Sequence, residues 1–297
     1  MKPRKSSQNS DFLGPKNPKR FLRIAVTGGK GGTGKSTIAT ALAVELAKNK
    51  RVMLIDADVD CPNDHLILNM KLKKIKDVFQ PIPKFDSKKC LKCGRCAEVC
   101  REHAIVFVKD RYPILIPEQC IGCSACMISC PNGAITKDKK KIGTVYSGNN
   151  YGLDFFSAET EIGVEEESPV VNALKEHIKS KEKDYDFIIV DTSPGIHCNV
   201  ISALQGCELA FCVTEPTPLG AHDLELNLKL LKELKIPAKI ILNRADIGEK
   251  NLIKEVSKKY QAEIIAEIPY DKQILEQYSK GKPIEIKELN SIINRFK

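Results

Sequence analysis

The chain has 297 residues, 42% of them hydrophobic, enough to bury one large α/β domain with a small domain set into it. No apolar run approaches the roughly 20 residues of a membrane span, and the basic start runs into Ser, Gln and Asn rather than an apolar stretch. Neither a membrane helix nor a secretory leader is expected, and a cytoplasmic protein is the reading. The net charge of +9 is unevenly spread: residues 1–20 hold six Lys/Arg against one Asp, and residues 84–141 hold twelve Lys/Arg against six Asp/Glu. The first segment reads as a flexible, solvated tail, and neither nucleic acid nor membrane is the expected partner.

In chain order, residues 23–26 read as a buried strand running into Gly28-Gly29-Lys30-Gly31-Gly32-Thr33-Gly34-Lys35-Ser36-Thr37. A helix follows over about 36–48, with Ile38, Leu42 and Leu46 on one face. Gly29-x-x-x-x-Gly34-Lys35-Ser36 between strand and helix is the P-loop pattern. Its glycines let backbone N–H groups converge on phosphate oxygens, and the helix N-terminus adds its positive end. Lys35 is placed to reach the β- and γ-phosphates, and the Ser36 hydroxyl to bind Mg²⁺. Residues 51–56, 187–191, 209–214, 238–243 and 264–268 are further apolar strands, with helical patterns over 222–234 and 252–259 separating the last three. Strands alternating with helices predict a parallel sheet covered on both faces.

Between residues 84 and 141 this alternation breaks, with Pro81 and Pro83 marking the entry and Lys137 to Lys141 the exit. Cys90, Cys93, Cys96 and Cys100 recur thirty residues later as Cys120, Cys123, Cys126 and Cys130, and Ala104-Ile105 recurs as Ala134-Ile135. Each half is too small to fold on an apolar core alone. The spacing is that of bacterial ferredoxins, in which three closely spaced thiolates hold one cluster and the fourth cysteine serves the other. Two [4Fe–4S] clusters are therefore expected, one on Cys90, Cys93, Cys96 and Cys130, the other on Cys120, Cys123, Cys126 and Cys100. Zinc fits less well, since its cysteine pairs rarely come as three evenly spaced residues. Arg101 stands after Cys100 where the pattern has proline, as Pro131 after Cys130 does. The expected organisation is a tail over 1–20, an α/β domain over 21–83 and 142–297, and a cluster-binding insert over 84–141. Ordinary ferredoxins are acidic, and the basic charge of this insert suits an acidic redox partner protein.

Lys30-Gly31-Gly32-Thr33-Gly34-Lys35-Ser36-Thr37 resembles the deviant Walker A motif of the MinD/ParA ATPases, which include the nitrogenase iron protein. In that family the early lysine, here Lys30, reaches the partner's ATP across a dimer, so the resemblance implies an ATP-dependent homodimer, or a heterodimer with a paralogue. Leu54-Ile55-Asp56-Ala57-Asp58 matches a second motif, in which the residue at Asp58 lies near the attacking water and the one at Asp56 supports the site. Ile188 to Gly195 resembles the Walker B and switch II segment, with Asp191 facing Mg²⁺ through water. Asn243 resembles the adenine-binding asparagine, and Pro269-Tyr270-Asp271 the later loop beside the base. The implied catalytic residues are Lys30, Lys35 and Asp58, with Gly29 to Thr37, Asn243, Pro269 and Asp271 holding ATP and Ser36 and Asp191 holding Mg²⁺.

Four cysteines remain. Cys207 and Cys212 flank a strand and are expected to be buried. Cys61 falls in the loop after Asp58, and Cys198 stands seven residues after Asp191, the offset of a cluster-ligating cysteine in the nitrogenase iron protein. The whole resembles MinD-type ATPases with an inserted ferredoxin domain. The function this implies is electron transfer gated by ATP-driven dimer switching, with iron–sulfur or metallocofactor assembly and MinD-like spatial organisation as alternatives. Ile286, Leu289, Ile293 and Phe296 form a terminal apolar stripe, expected to pack on the core rather than on a membrane.

Overall fold

The computed structural model describes residues 21–296, and the basic segment 1–20 read as a tail lies outside the described residues. In chain order, β1 (Leu22–Thr27), α1 (Lys35–Ala47), β2 (Val52–Ala57) and the short α2 (Asp64–Ile67) lead into a long β3 (Lys73–Phe85). Then come α3 (Arg95–Glu98), β4 (Ile105–Val106), β5 (Ile114–Leu115) and α4 (Ala125–Ser129), before β6 (Ile135–Asn150) and β7 (Leu153–Thr160). The rest alternates: α5 (Ser168–Ile178), β8 (Phe187–Thr192), α6 (Cys198–Leu204), β9 (Leu209–Thr214), α7 (Pro218–Glu233), β10 (Ala238–Asn243), α8 (Lys250–Tyr260), β11 (Ile264–Ile268), α9 (Lys272–Ser279) and α10 (Asn290–Ile293).

One nine-stranded sheet has the order β11-β10-β9-β1-β8-β2-β7-β6-β3. From β11 to β7 every pairing is parallel, whereas β6 is antiparallel to both β7 and β3. The sheet is thus mainly, not wholly, parallel. Its antiparallel edge comes from segments that carry turn and linker signals in the sequence. Pro81 pairs with Lys139 and Pro83 with Lys137 inside the β3–β6 ribbon. Prolines survive there because β3 is the sheet edge and has no outer neighbour needing its N–H groups. The lysines of β6 and β3 stay at the surface, where Lys74, Lys141 and Thr144 converge on Asp77. Those contacts, Lys74 first, hold the Asp77 carboxyl down at about 2.

Successive strand residues point to opposite faces, so each strand feeds two cores. Ala25, Met53, Ile55 and Val190 pack under α5, α6, α7 and α8. Ile24, Val26, Leu54 and Phe155 pack under α1 and the C-terminal segment. The terminal stripe joins this second core: Ile286, Leu289 and Ile293 are buried and the Phe296 ring lies 5.3 Å from that of Phe187. Among the described residues no helix is long and apolar enough to cross a membrane.

Replacing Phe155, fully buried at the β2–β7 pairing, with Ala is expected to cost about 3–5 kcal/mol of unfolding free energy in a denaturant titration. Phe79→Ala, on the ribbon where the ring is 47% exposed, is expected to change it by less than about 0.5 kcal/mol.

Candidate functional site

The β1 strand ends at Thr27 and the loop before α1 closes over its carboxyl end, the place where parallel α/β sheets bind ligands. Gly34 caps α1 at φ +92°, and a Cβ there would lie 2.5 Å from the Asn243 amide nitrogen. Asn243 itself donates to the Thr33 carbonyl at 2.8 Å, so the residue matched to an adenine contact braces the loop from behind. Lys35 donates to the Lys30 carbonyl at 3.2 Å, and Gly195 N–H donates to the Gly28 carbonyl at 3.1 Å, tying the segment after β8 to the loop. Burial lowers the Lys35 ammonium, while Asp191 and Asp58 hold it up.

The carboxylates come from the ends of two adjacent strands, since β2 and β8 pair with Asp56 opposite Asp191. Asp56 accepts from the N–H groups of Asp58 at 3.1 Å, Asn63 at 3.0 Å and Asp64 at 3.1 Å, and so braces the loop that carries Asp58. Asp58 accepts from the Ser193 hydroxyl at 3.0 Å, joining that loop to the segment after Asp191. Asp191 is buried with neither carboxylate oxygen partnered within the protein. Burial pushes its carboxyl up to about 7 against the pull of Ser36 and Lys35. Burial also raises Asp58, with Ser193 and Lys35 opposing.

Asp64 joins this group without any motif to mark it. It is the first residue of α2, where an Asp after Pro-Asn reads as an ordinary helix start. It is fully buried, and Asp56, Asp64 and Asp191 each place a carboxylate oxygen within 4.8 Å of the others.

Beside these groups lies a cleft of about 420 Å³ lined by Gly31, Lys35, Asp58, Arg244, Ile274 and Tyr278, within the usual size of a small-ligand site. Ser36 and Thr37 also face it. Ile274 and Tyr278 belong to α9 and have no motif, their only sequence signal being the apolar face of that helix. Asp271 caps α9, accepting from Gln273 N–H at 2.8 Å, and Pro269 lies just after β11.

Residues 86–134 lie between the arms of the β3–β6 ribbon, and their backbone repeats as their sequence does. Asp86 N–H donates to the Ala134 carbonyl and, thirty residues on, Ile116 N–H donates to the Ala104 carbonyl, both at 2.8 Å. Left-handed backbone recurs in the same way at Lys92 and Gly122, Gly94 and Ser124, and His103 and Gly133. The apolar core here is small and centres on Cys96, Ile105, Cys126 and Ile135. The eight cysteines line two separate cavities: Cys90, Cys93, Cys96 and Cys130 face one, and Cys100, Cys120, Cys123 and Cys126 the other. Burial raises the Cys96 thiol, and pushes that of Cys126 up to about 11. Elsewhere Cys207 and Cys212 are buried, whereas Cys61 and Cys198 are exposed.

A family model described as the CobQ/CobB/MinD/ParA nucleotide binding domain matches residues 24–284. The chain is 36% identical over 263 residues to the uncharacterized protein MJ0579 of Methanocaldococcus jannaschii, spanning 88% of this chain and 91% of that one. It is 26% identical over 291 residues to the iron-sulfur cluster carrier protein of Aquifex aeolicus, spanning 90% of this chain and 63% of that one. The septum site-determining protein MinD of Pyrococcus horikoshii OT3, solved with Mg-ADP, shares the fold at TM-score 0.56 and 22% identity, over 89% of this chain and 87% of that one. A phosphate loop at the end of β1, aspartates at the ends of β2 and β8, and a family model spanning nearly the whole described chain place this protein in the CobQ/CobB/MinD/ParA nucleotide-binding family, as a P-loop ATPase.

Proposed function

We propose that this ATPase couples nucleotide-driven dimer switching to electron transfer through two [4Fe–4S] clusters held in an inserted module over residues 84–141. The observation that carries this reading is the crossed grouping of the cysteines, each cavity taking three thiols from one run and the fourth from the other. The run of three evenly spaced cysteines before each fourth one supports clusters over zinc. The Ala134 N–H points at Cys130 Sγ at 3.3 Å, a hydrogen bond of the kind that tunes a bound cluster. When bound, such clusters take up and release single electrons.

The chain's own residues supply the coupling. Lys30 acts in trans on the partner's nucleotide, Lys35 and the loop from Gly29 to Thr37 hold the phosphates, Ser36 and Asp191 hold Mg²⁺, and Asp58 orients the attacking water. The Asp58 loop is joined to the sheet by Thr160 N–H donating to the Val59 carbonyl at 2.9 Å. The next residue, Glu161, donates its N–H to the Ile142 carbonyl of β6 at 2.9 Å and pairs with Lys141 at 2.6 Å. From the other side, Asn199 of α6 donates to Glu167, and the adjoining residues Val164 to Glu166 share a cavity with Gln80, Cys120 and Lys140. Gln80 donates to the Cys120 carbonyl at 2.5 Å. Movement of either nucleotide loop thus has a short packed route to the half of the module that carries Cys120. The basic surface of the insert suits an acidic redox partner.

The named likeness to an iron–sulfur carrier favours cluster assembly as the second reading, although this chain has no cysteine beyond Cys212 to serve as an exposed C-terminal transfer pair. Protein purified without oxygen is expected to contain about eight iron atoms per chain, as two four-iron clusters require. MgATP is expected to shift the EPR signals or midpoint potentials of the dithionite-reduced clusters in the wild type but not in Lys30→Ala. Unchanged spectra during continuing hydrolysis would overturn gating, and cluster loss to an apo-acceptor would move the role to assembly. Binding of an acidic ferredoxin is expected to weaken as salt rises above about 0.1 M, and salt-independent affinity would remove the docking role.

A further inference from the structure

Asp56 and Asp191 stand where the family places its two strand-end aspartates, but Asp64 belongs to no motif. The three are unequal. Asp56 spends both oxygens on backbone N–H groups of the Asp58–Asp64 segment. Asp64 and Asp191 are 0% and 1% exposed, and none of their four carboxylate oxygens completes a hydrogen bond within the protein; the Ser36 hydroxyl and the Thr192 N–H stand nearest Asp191, and the two carboxyls face each other. Carboxylates crowded together out of water are poorly compensated unless a cation, or water held by one, completes their surroundings. One oxygen from each of the three residues lies within 4.8 Å of the others, close enough for one hydrated divalent ion to face all three. Ser36 and Lys35 act on Asp191 and themselves line the cleft beside it, so the cluster adjoins the phosphate loop.

We propose that Asp64 is a positioning residue of the divalent-cation site: with Asp56 and Asp191 it forms a carboxylate cradle that takes Mg²⁺ or Mn²⁺ before nucleotide arrives. The hard oxygen donors select these ions over softer ones. Phosphate oxygens then join an ion already in place, and because Asp64 opens α2 directly behind the Asp58 loop, ion occupancy also fixes the start of that helix. This role rests on the nucleotide site alone and not on the iron–sulfur reading.

The test is Mn²⁺ binding to the 297-residue chain without nucleotide, read from the free-ion EPR signal, alongside the rise in thermal midpoint on adding Mn²⁺. The wild type is expected to bind one Mn²⁺ per chain and to be stabilised by it. Asp64→Asn, nearly isosteric, is expected to bind Mn²⁺ about 10–100-fold more weakly and to lose the stabilisation, with or without ADP. Asp64→Ser, which suits a helix start, is the second variant should the amide not fold. Equal Mn²⁺ affinity in wild type and variant would overturn the proposal, as would a nucleotide-free wild type that binds no Mn²⁺.

Discussion

Buried charge at the ends of β2 and β8 is the constraint on which the rest of this molecule depends. Asp56, Asp64 and Asp191 are packed out of water beside Lys35, an arrangement that isolated carboxylates could not sustain. It persists because the parallel sheet fixes its members from outside. The β2–β8 register sets Asp56 against Asp191, three backbone N–H groups satisfy Asp56, and the loop after β1 brings Lys35 across the strand ends. Two apolar cores hold those strands in order, so local charge is stabilised by distant burial.

The same geometry makes the site responsive. The groups that would meet a nucleotide lie on the loops after β1, β2 and β8, and these bond to one another rather than only to the sheet. Ser193 meets Asp58 and Gly195 meets Gly28, while Asn243, at the end of β10, meets Thr33. These bonds tie the segments into one network. The strand after the cysteine segment, β6, runs back along β7, and β7 ends against Val59 of the Asp58 loop. The cysteine segment therefore leaves the sheet at the edge that touches the Asp58 loop through β7.

The cysteine segment is built on different physics. Its apolar core is a handful of side chains, half of them cysteines, at the end of a two-stranded ribbon. Such a unit has too little buried area to order itself by burial alone. Its repeated left-handed residues and paired carbonyl contacts direct the backbone around two cavities, and ligation of the thiolates, if the proposed clusters are bound, would add the cross-links that a larger core otherwise provides.

Much of this was legible in the residues because its signals are local. The glycine-rich loop between a strand and a helix, the apolar runs at 209–214, 238–243 and 264–268, and the thirty-residue cysteine period each depend on neighbours in the chain. The antiparallel edge was not legible. Pro81, Pro83 and the lysines from 137 to 141 argue against strands until it is known that β3 lies at an edge, which only the sheet order decides. Strand β7, with Ser, Ala and Asp among its aromatics, shows no clean period and is a strand because β2 and β6 flank it. Asp64 carries no sequence mark at all, since its meaning comes from Asp191, 127 positions away in the chain and brought beside it by the pairing of β2 with β8. Sequence determined the loop, the helices α1, α7 and α8 and the thiol spacing through short-range backbone and periodicity rules. Tertiary structure alone decided which charges share one buried space, because strand order and register are set by burial of the whole sheet and not by any single segment.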